Sequence, residues 1–106
     1  MKYQIKMEEA FVKRMNNLEE IFHLSHADAV DARETIIDAI ADLQQGTSLS
    51  VELSEHILKK EPWIGFHEFH VLADLLVVYY RVDNKRRIRM VTVTNHEELT
   101  TGRLPK

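Results

Sequence analysis

Residues 2–7 alternate the polar Lys2, Gln4 and Lys6 with Tyr3, Ile5 and Met7, the period of a strand with one buried face. From Glu8 the period lengthens. Phe11, Met15, Leu18 and Phe22 recur at helical spacing, and acidic residues occupy the first turn where the helix dipole favours them, which predicts a helix to about Leu24. Ser25 followed by Asp28 reads as a capping box, and the stripe Ala29, Ala32, Ile36, Ala39 and Leu43, widened by Val30, Ile37 and Ile40, predicts a second helix that Gly46 ends. Asp28, Asp31, Asp38 and Asp42 lie off that stripe and form its solvated face. Thr47 to Pro62 holds no sustained period and is expected to wrap the surface as a loop. Strands are expected at Ile64–His70, at Leu75–Val82, and after the turn pair Asp83-Asn84 through RRIRMVTVT to about Thr94. The segment LLVVYYRV is apolar on both faces, so it belongs in the middle of the sheet.

The order strand, two helices, three-strand meander is α+β, with a helical hairpin on one face of a mainly antiparallel sheet. A chain of 106 residues fills one core, so residues 1–46 (strand and hairpin), 47–63 (loop), 64–96 (meander) and 97–106 (tail) are read as one domain. No stretch approaches the roughly 20 apolar residues of a membrane span, and MKYQIKMEEAF carries charges where a signal peptide needs an apolar run, which leads to the expectation of a cytoplasmic protein with no membrane partner. The absence of cysteine excludes disulfides, thiolate metal sites and thiol nucleophiles. The net charge of −3 gives no overall basic excess. Its distribution is uneven, however: residues 1–46 hold five Lys/Arg against nine Asp/Glu, whereas residues 47–106 hold nine against eight and include Lys85, Arg86, Arg87 and Arg89.

The stretch GFHEFHVLADLLVVYY sets titratable side chains beside the most hydrophobic segment of the chain. A meander explains why. The first strand ends at His70, the second begins near Asp74, and the third returns to finish just before His96, so all three arrive at one end of the sheet. A short turn at 83–85 would pair Val82 with Lys85 or Arg86 and set Asp74 opposite Val93 or Thr94. His70 and His96, on strands two places apart, would then flank a gap of about 10 Å. Two imidazoles at a phosphodiester suit RNA cleavage, in which one takes the proton of a ribose 2′-OH and the other supplies one to the departing 5′ oxygen. Asp74 would orient one ring or favour its charged form. A metal site built from His67, His70 and Asp74 would need this stretch to be a helix, because in a strand positions three apart point to opposite faces, and neither a metal nor a cofactor is expected.

In order, EHIL, WIGFHEFHVLADLLVVYY and TNHEEL resemble the motif series of the RelE superfamily of bacterial toxins, in its YafQ-like branch, over roughly residues 53 to 99. The resemblance implies a RelE-like fold, a small twisted sheet carrying a helical hairpin, and the toxin of a type II toxin–antitoxin pair, an endoribonuclease that cuts mRNA in the ribosomal A site. It implies a catalytic group of His56, His70, Asp74 and His96, an antitoxin partner, and contacts to ribosome and RNA from His67, Arg86, Arg87 and Arg89. In that branch an aromatic often stands where this chain has Thr100, a basic residue where it has Thr92, and Arg or Lys where it has His67. Those three positions frame the alternative expectation, a toxin-like protein without cleavage that serves as a protein-binding module.

Overall fold

The computed structural model describes residues 2–101. Alternation places the first strand, β1 (Gln4–Met7), with Tyr3 and Ile5 packed against the core and Met7 left half-exposed. The expected first helix divides into α1 (Glu9–Met15) and α2 (Leu18–Phe22). The break lies at Asn16-Asn17, where the Asn17 amide Nδ2 donates to the Lys13 carbonyl at 2.8 Å and competes with the helical ladder, as short polar side chains do. α3 (His26–Gln44) begins at Ser25, whose Oγ accepts the Asp28 N–H at 3.1 Å, and the chain leaves it through Gly46 at φ 76°, a left-handed conformation that suits glycine. All five stripe residues, Ala29, Ala32, Ile36, Ala39 and Leu43, are buried.

The region expected as loop contains a 3₁₀ turn at Val51–Leu53 and a short strand, β2 (His56–Ile57). β3 (His67–Val71) begins later than the apolar run Ile64–Phe66 suggested, because Trp63–Phe66 is a turn: Phe66 N–H donates to Trp63 O at 3.0 Å and Gly65 adopts φ 88°. β4 (Leu75–Val82) and β5 (Arg87–Asn95) complete a five-stranded sheet of order β1-β5-β4-β3-β2, in which β1 runs parallel to β5 and the other neighbours are antiparallel. β4 is central as expected, and Leu75 to Tyr79 are each at most 3% exposed. Leu75, Val77 and Tyr79 join Phe69, Val71 and the helices in the main core, whereas Leu76 and Val78 alternate to the opposite, outer face. The segment between β2 and β3 folds back there: Leu58 N–H donates to Phe66 O at 2.7 Å, and the Phe66 ring lies 5.0 Å from Tyr80.

Register differs from the expectation in a way that matters for the site. The turn between β4 and β5 is a 3₁₀ turn at Asp83–Lys85 closed by Arg86 at φ 50°, so Val82 pairs with Arg87. An irregularity at Val78/Tyr79 adds one more residue to β5, and Leu75 pairs with Asn95. Both effects slide Asp74 past Val93 and Thr94 to the level of His96. Asn95 Oδ1 accepts the Glu98 N–H at 2.9 Å and opens α4 (His96–Thr101), where a tail was expected. Residues 102–106 of that tail lie outside the described residues. No helix of the described residues is long and apolar enough to cross a membrane.

One polar tie fixes α4. The Arg14 side chain, 11% exposed, donates to the Val93 carbonyl at 2.9 Å and to both Glu98 carboxylate oxygens, at 2.6 and 3.1 Å. Its guanidinium also lies 5.5 Å from the centre of the Phe22 ring. Thr94 Oγ1 donates to Glu98 at 2.7 Å. The hydrogen bonds from Arg14 hold the Glu98 carboxyl below its ordinary range, against the opposing effect of burial. A carboxyl lowered on folding stabilises the native state above its unfolded pKa, and that stabilisation is lost as pH falls through the native value. Arg14→Met is therefore expected to lower the unfolding free energy by about 2 kcal/mol at pH 7, with the difference shrinking below about pH 4, as urea titrations at several pH values will show.

Candidate active site

His56 opens β2, His70 lies near the end of β3, Asp74 sits in the turn between β3 and β4, and His96 begins α4. Their placement follows from the register. His56 pairs with Glu68, two residues before His70 on the same strand, so all three face outward on one side of the sheet. His96 meets them from the next strand but one, level with Asp74. The rings form a row: His56 and His70 have centroids 5.8 Å apart, and His70 and His96 are 5.4 Å apart. This corrects the expected 10 Å gap. The side chains lean toward each other across the narrow central strand, which leaves no ligand-sized gap between the rings.

Two carboxylates hold the row. Asp74 Oδ1 lies 2.6 Å from His96 Nδ1, which places a proton on that nitrogen and leaves Nε2 for other chemistry. Both groups are more than half exposed, so the pair orients the ring where solvent and ligand reach it. Glu68 is the reverse case, its side chain only 5% exposed. Its Oε1 lies 2.7 Å from His56 Nε2, within hydrogen-bond distance, and 3.6 Å from His70 Nε2, beyond it. His56 Nδ1 faces the Ser54 carbonyl at 3.1 Å. Both nitrogens of His56 thus face oxygen atoms, one from the Ser54 backbone and one from the buried Glu68 side chain.

Glu68 was not among the residues expected from sequence. In FHEFH it reads as an ordinary strand carboxylate, and its partner His56 becomes visible only once a two-residue strand is known to pair there. Glu68 Oε2 is buried with no hydrogen-bond partner among the described residues. One ligand atom from each of His56, Glu68 and His70 lies within 4.8 Å of the others, a set of nitrogen and oxygen donors that suits a transition-metal ion. The helical set His67, His70 and Asp74 does not form.

The remaining expected residues lie elsewhere. His67 turns to the helix side of the sheet, stacked on Tyr79 at 5.0 Å with Nδ1 2.5 Å from Glu55 Oε2. Arg86 and Arg87 stand at the opposite end of β5 from His96, roughly 30 Å away at a strand rise of about 3.3 Å per residue. Arg89 lies near that end, pairs with Glu8 at 3.1 Å, and sits over the Tyr80 ring at 5.9 Å. Thr92 is buried, 1% exposed, and the side chain of Thr100 lies outside the described residues. Beside His56 a groove of about 790 Å³ is walled by Ile57, Leu58, Lys59, Lys60, Trp63 and Leu99.

A profile described as "Bacterial toxin of type II toxin-antitoxin system, YafQ" matches residues 3–101. Among solved structures, a metal-bound toxin from Helicobacter pylori is 22% identical with TM-score 0.70, covering 93% of this chain and 99% of its own. The E. coli DinJ–YafQ toxin–antitoxin complex contains a chain 18% identical with TM-score 0.69, covering 93% and 98%. The archaeal RelE–RelB complex from Pyrococcus horikoshii is similar at 15% identity and TM-score 0.63, covering 90% and 96%. No curated protein matches the sequence significantly. These structures share the fold, helices packed on a mixed and mostly antiparallel sheet, and the profile spans nearly the whole chain: the protein belongs to the YafQ family of toxins of type II toxin–antitoxin systems.

Proposed function

We propose that this toxin is a ribosome-dependent mRNA endonuclease in which His70 and His96 are the acid–base pair. The observation that carries the reading is the row His56–His70–His96, held at one end by exposed Asp74 and at the other by buried Glu68. One imidazole of the pair takes the 2′-OH proton as the 2′ oxygen attacks phosphorus. The bond from phosphorus to the 5′ oxygen breaks, the other imidazole protonates that oxygen, and the products are a 2′,3′-cyclic phosphate and a 5′-hydroxyl. General acid–base catalysis of this kind contributes typically 10²- to 10⁴-fold per group. Asp74 holds the His96 ring in place, and His56 lines the far end of the row where charge builds on the phosphoryl oxygens.

The ribosome supplies what the chain lacks in cationic surface, because it presents the mRNA already ordered in the A site. Fewer phosphate contacts are then needed, which accommodates a buried Thr92 and a net charge of −3. An antitoxin is the protein partner, as in the DinJ–YafQ and RelE–RelB complexes, and it covers the exposed histidine row.

The unpartnered Glu68 oxygen favours one addition to this reading. A transition-metal ion held by His56, Glu68 and His70 would occupy the nitrogen lone pairs that proton transfer uses, so bound metal opposes cleavage. A toxin of the same fold is metal-bound, which supports metal binding by this fold.

Two outcomes are expected. In cells, expression of the wild-type chain arrests growth, whereas His96→Ala, folded by circular dichroism, relieves arrest with cleavage lowered at least about 100-fold; arrest by His96→Ala at wild-type levels would overturn the assignment. With purified protein on programmed ribosomes, Cu²⁺ or Zn²⁺ at micromolar levels lowers the cleavage rate and a zinc-selective chelator restores it, while Glu68→Ala binds the ion more weakly by calorimetry.

A further inference from the structure

His56 is carried by a strand of two residues, held in the sheet by the pairings His56↔Glu68 and Ile57↔His67. So short an edge strand frays unless something else anchors it. Beyond the Leu58 N–H to Phe66 O hydrogen bond that follows it, a side-chain anchor lies one residue earlier and on the other side of the sheet. Glu55 Oε2 accepts the Tyr79 hydroxyl at 2.8 Å and the His67 Nδ1 proton at 2.5 Å. His67 and Tyr79 are cross-strand partners of β3 and β4, with rings 5.0 Å apart and 20° from parallel, and Tyr79 is 1% exposed within the core. Burial, and then Glu55, push the Tyr79 hydroxyl well above its ordinary value, so it remains a donor to the carboxylate. Consecutive residues of an extended chain point to opposite faces, and here Glu55 grips the core side while His56 projects outward to Glu68.

We propose that Glu55, locked by His67 and Tyr79, is a positioning residue for His56: a clamp on the helix side of the sheet that sets the catalytic row on the outer side. His67, expected to touch RNA, instead belongs to this clamp. The proposal rests on the cleavage reading for its consequence in rate, and on structure alone for its geometry. A misplacement of about 1 Å costs on the order of 10²-fold in rate. The loss falls on kcat, because His56 acts at the reacting phosphate rather than in holding the ribosome.

A double-mutant cycle with a spectroscopic arm tests it. On programmed ribosomes, Glu55→Ala is expected to lower kcat roughly tenfold to 100-fold with KM nearly unchanged. In a His56→Ala background the same substitution should cost less than about twofold, since the residue it positions is gone. Tyr79→Phe, which keeps the stacked ring and removes one donor, gives a smaller loss of the same kind. Equal losses in both backgrounds, or no loss, would overturn the proposal. In the free protein, ring-to-ring NOEs between His56 and His70 should vanish in Glu55→Ala while those between His70 and His96 persist. Survival of the first set, or loss of both, counts against the clamp. If wild type leaves mRNA intact, the cleavage reading falls, and the NOE arm still decides the clamp.

Discussion

β4 is buried on both faces, and the arrangement of the site depends on it. A strand whose two faces both lose water must have partners on each edge and cover on each side, and LLVVY meets those demands by pairing with β3 and β5 and by separating Leu75, Val77 and Tyr79 from Leu76 and Val78. A one-residue slip in either pairing would turn the apolar set of a neighbouring strand to the wrong face, so the register is strongly determined. That register delivers the histidines. It sets Leu75 against Asn95, hence Asp74 at the level of His96, and it sets His70 against Leu76 so that its ring leans over the central strand.

The two ends of the histidine row are electrostatically unlike. Asp74 and His96 are exposed, and an exposed pair of this kind contributes little to stability, so its value lies in orientation. Glu68 is buried, where a carboxylate is costly unless paired, and two imidazoles stand within reach of one of its oxygens. The protein accepts that cost at the place where it also aligns His56 and His70. Arg14 plays a comparable part at the edge of the site. By joining α1 to Val93 and Glu98 it fixes the first turn of α4, and His96 is the first residue of that helix.

How much of this the sequence disclosed depends on how local each feature is. The bounds of α3 and β4 follow from periodicity within a short window, and both match the structure closely. The convergence of His70, Asp74 and His96 required only a meander and the direction of each strand. The side-chain detail did not follow, because leaning rings and a strand irregularity at Val78/Tyr79 leave no periodic trace. β2 is too short to show a period, and without it neither the role of Glu68 nor the clamp at Glu55 is visible. His67 illustrates a conflict between motif and geometry: its place in the motif series points to RNA, whereas its parity relative to His70 already assigns it to the other face. Arg86 and Arg87 cluster in sequence with a strand that reaches the site, but at its distant end.

The claim on which the account rests is that the ribose 2′-OH is the nucleophile and that imidazoles move its proton. It is tested most directly on ribosomes programmed with an mRNA carrying a single 2′-deoxynucleotide immediately 5′ of the mapped cleavage site, compared with the all-ribose message. The account predicts that wild-type toxin cuts the all-ribose mRNA to a 2′,3′-cyclic phosphate and a 5′-hydroxyl, and leaves the substituted message intact at that position. Cleavage of the deoxy-substituted message at the same bond, with a 5′-phosphate on the product, would contradict it, because a water molecule rather than the neighbouring hydroxyl would then be the attacking group.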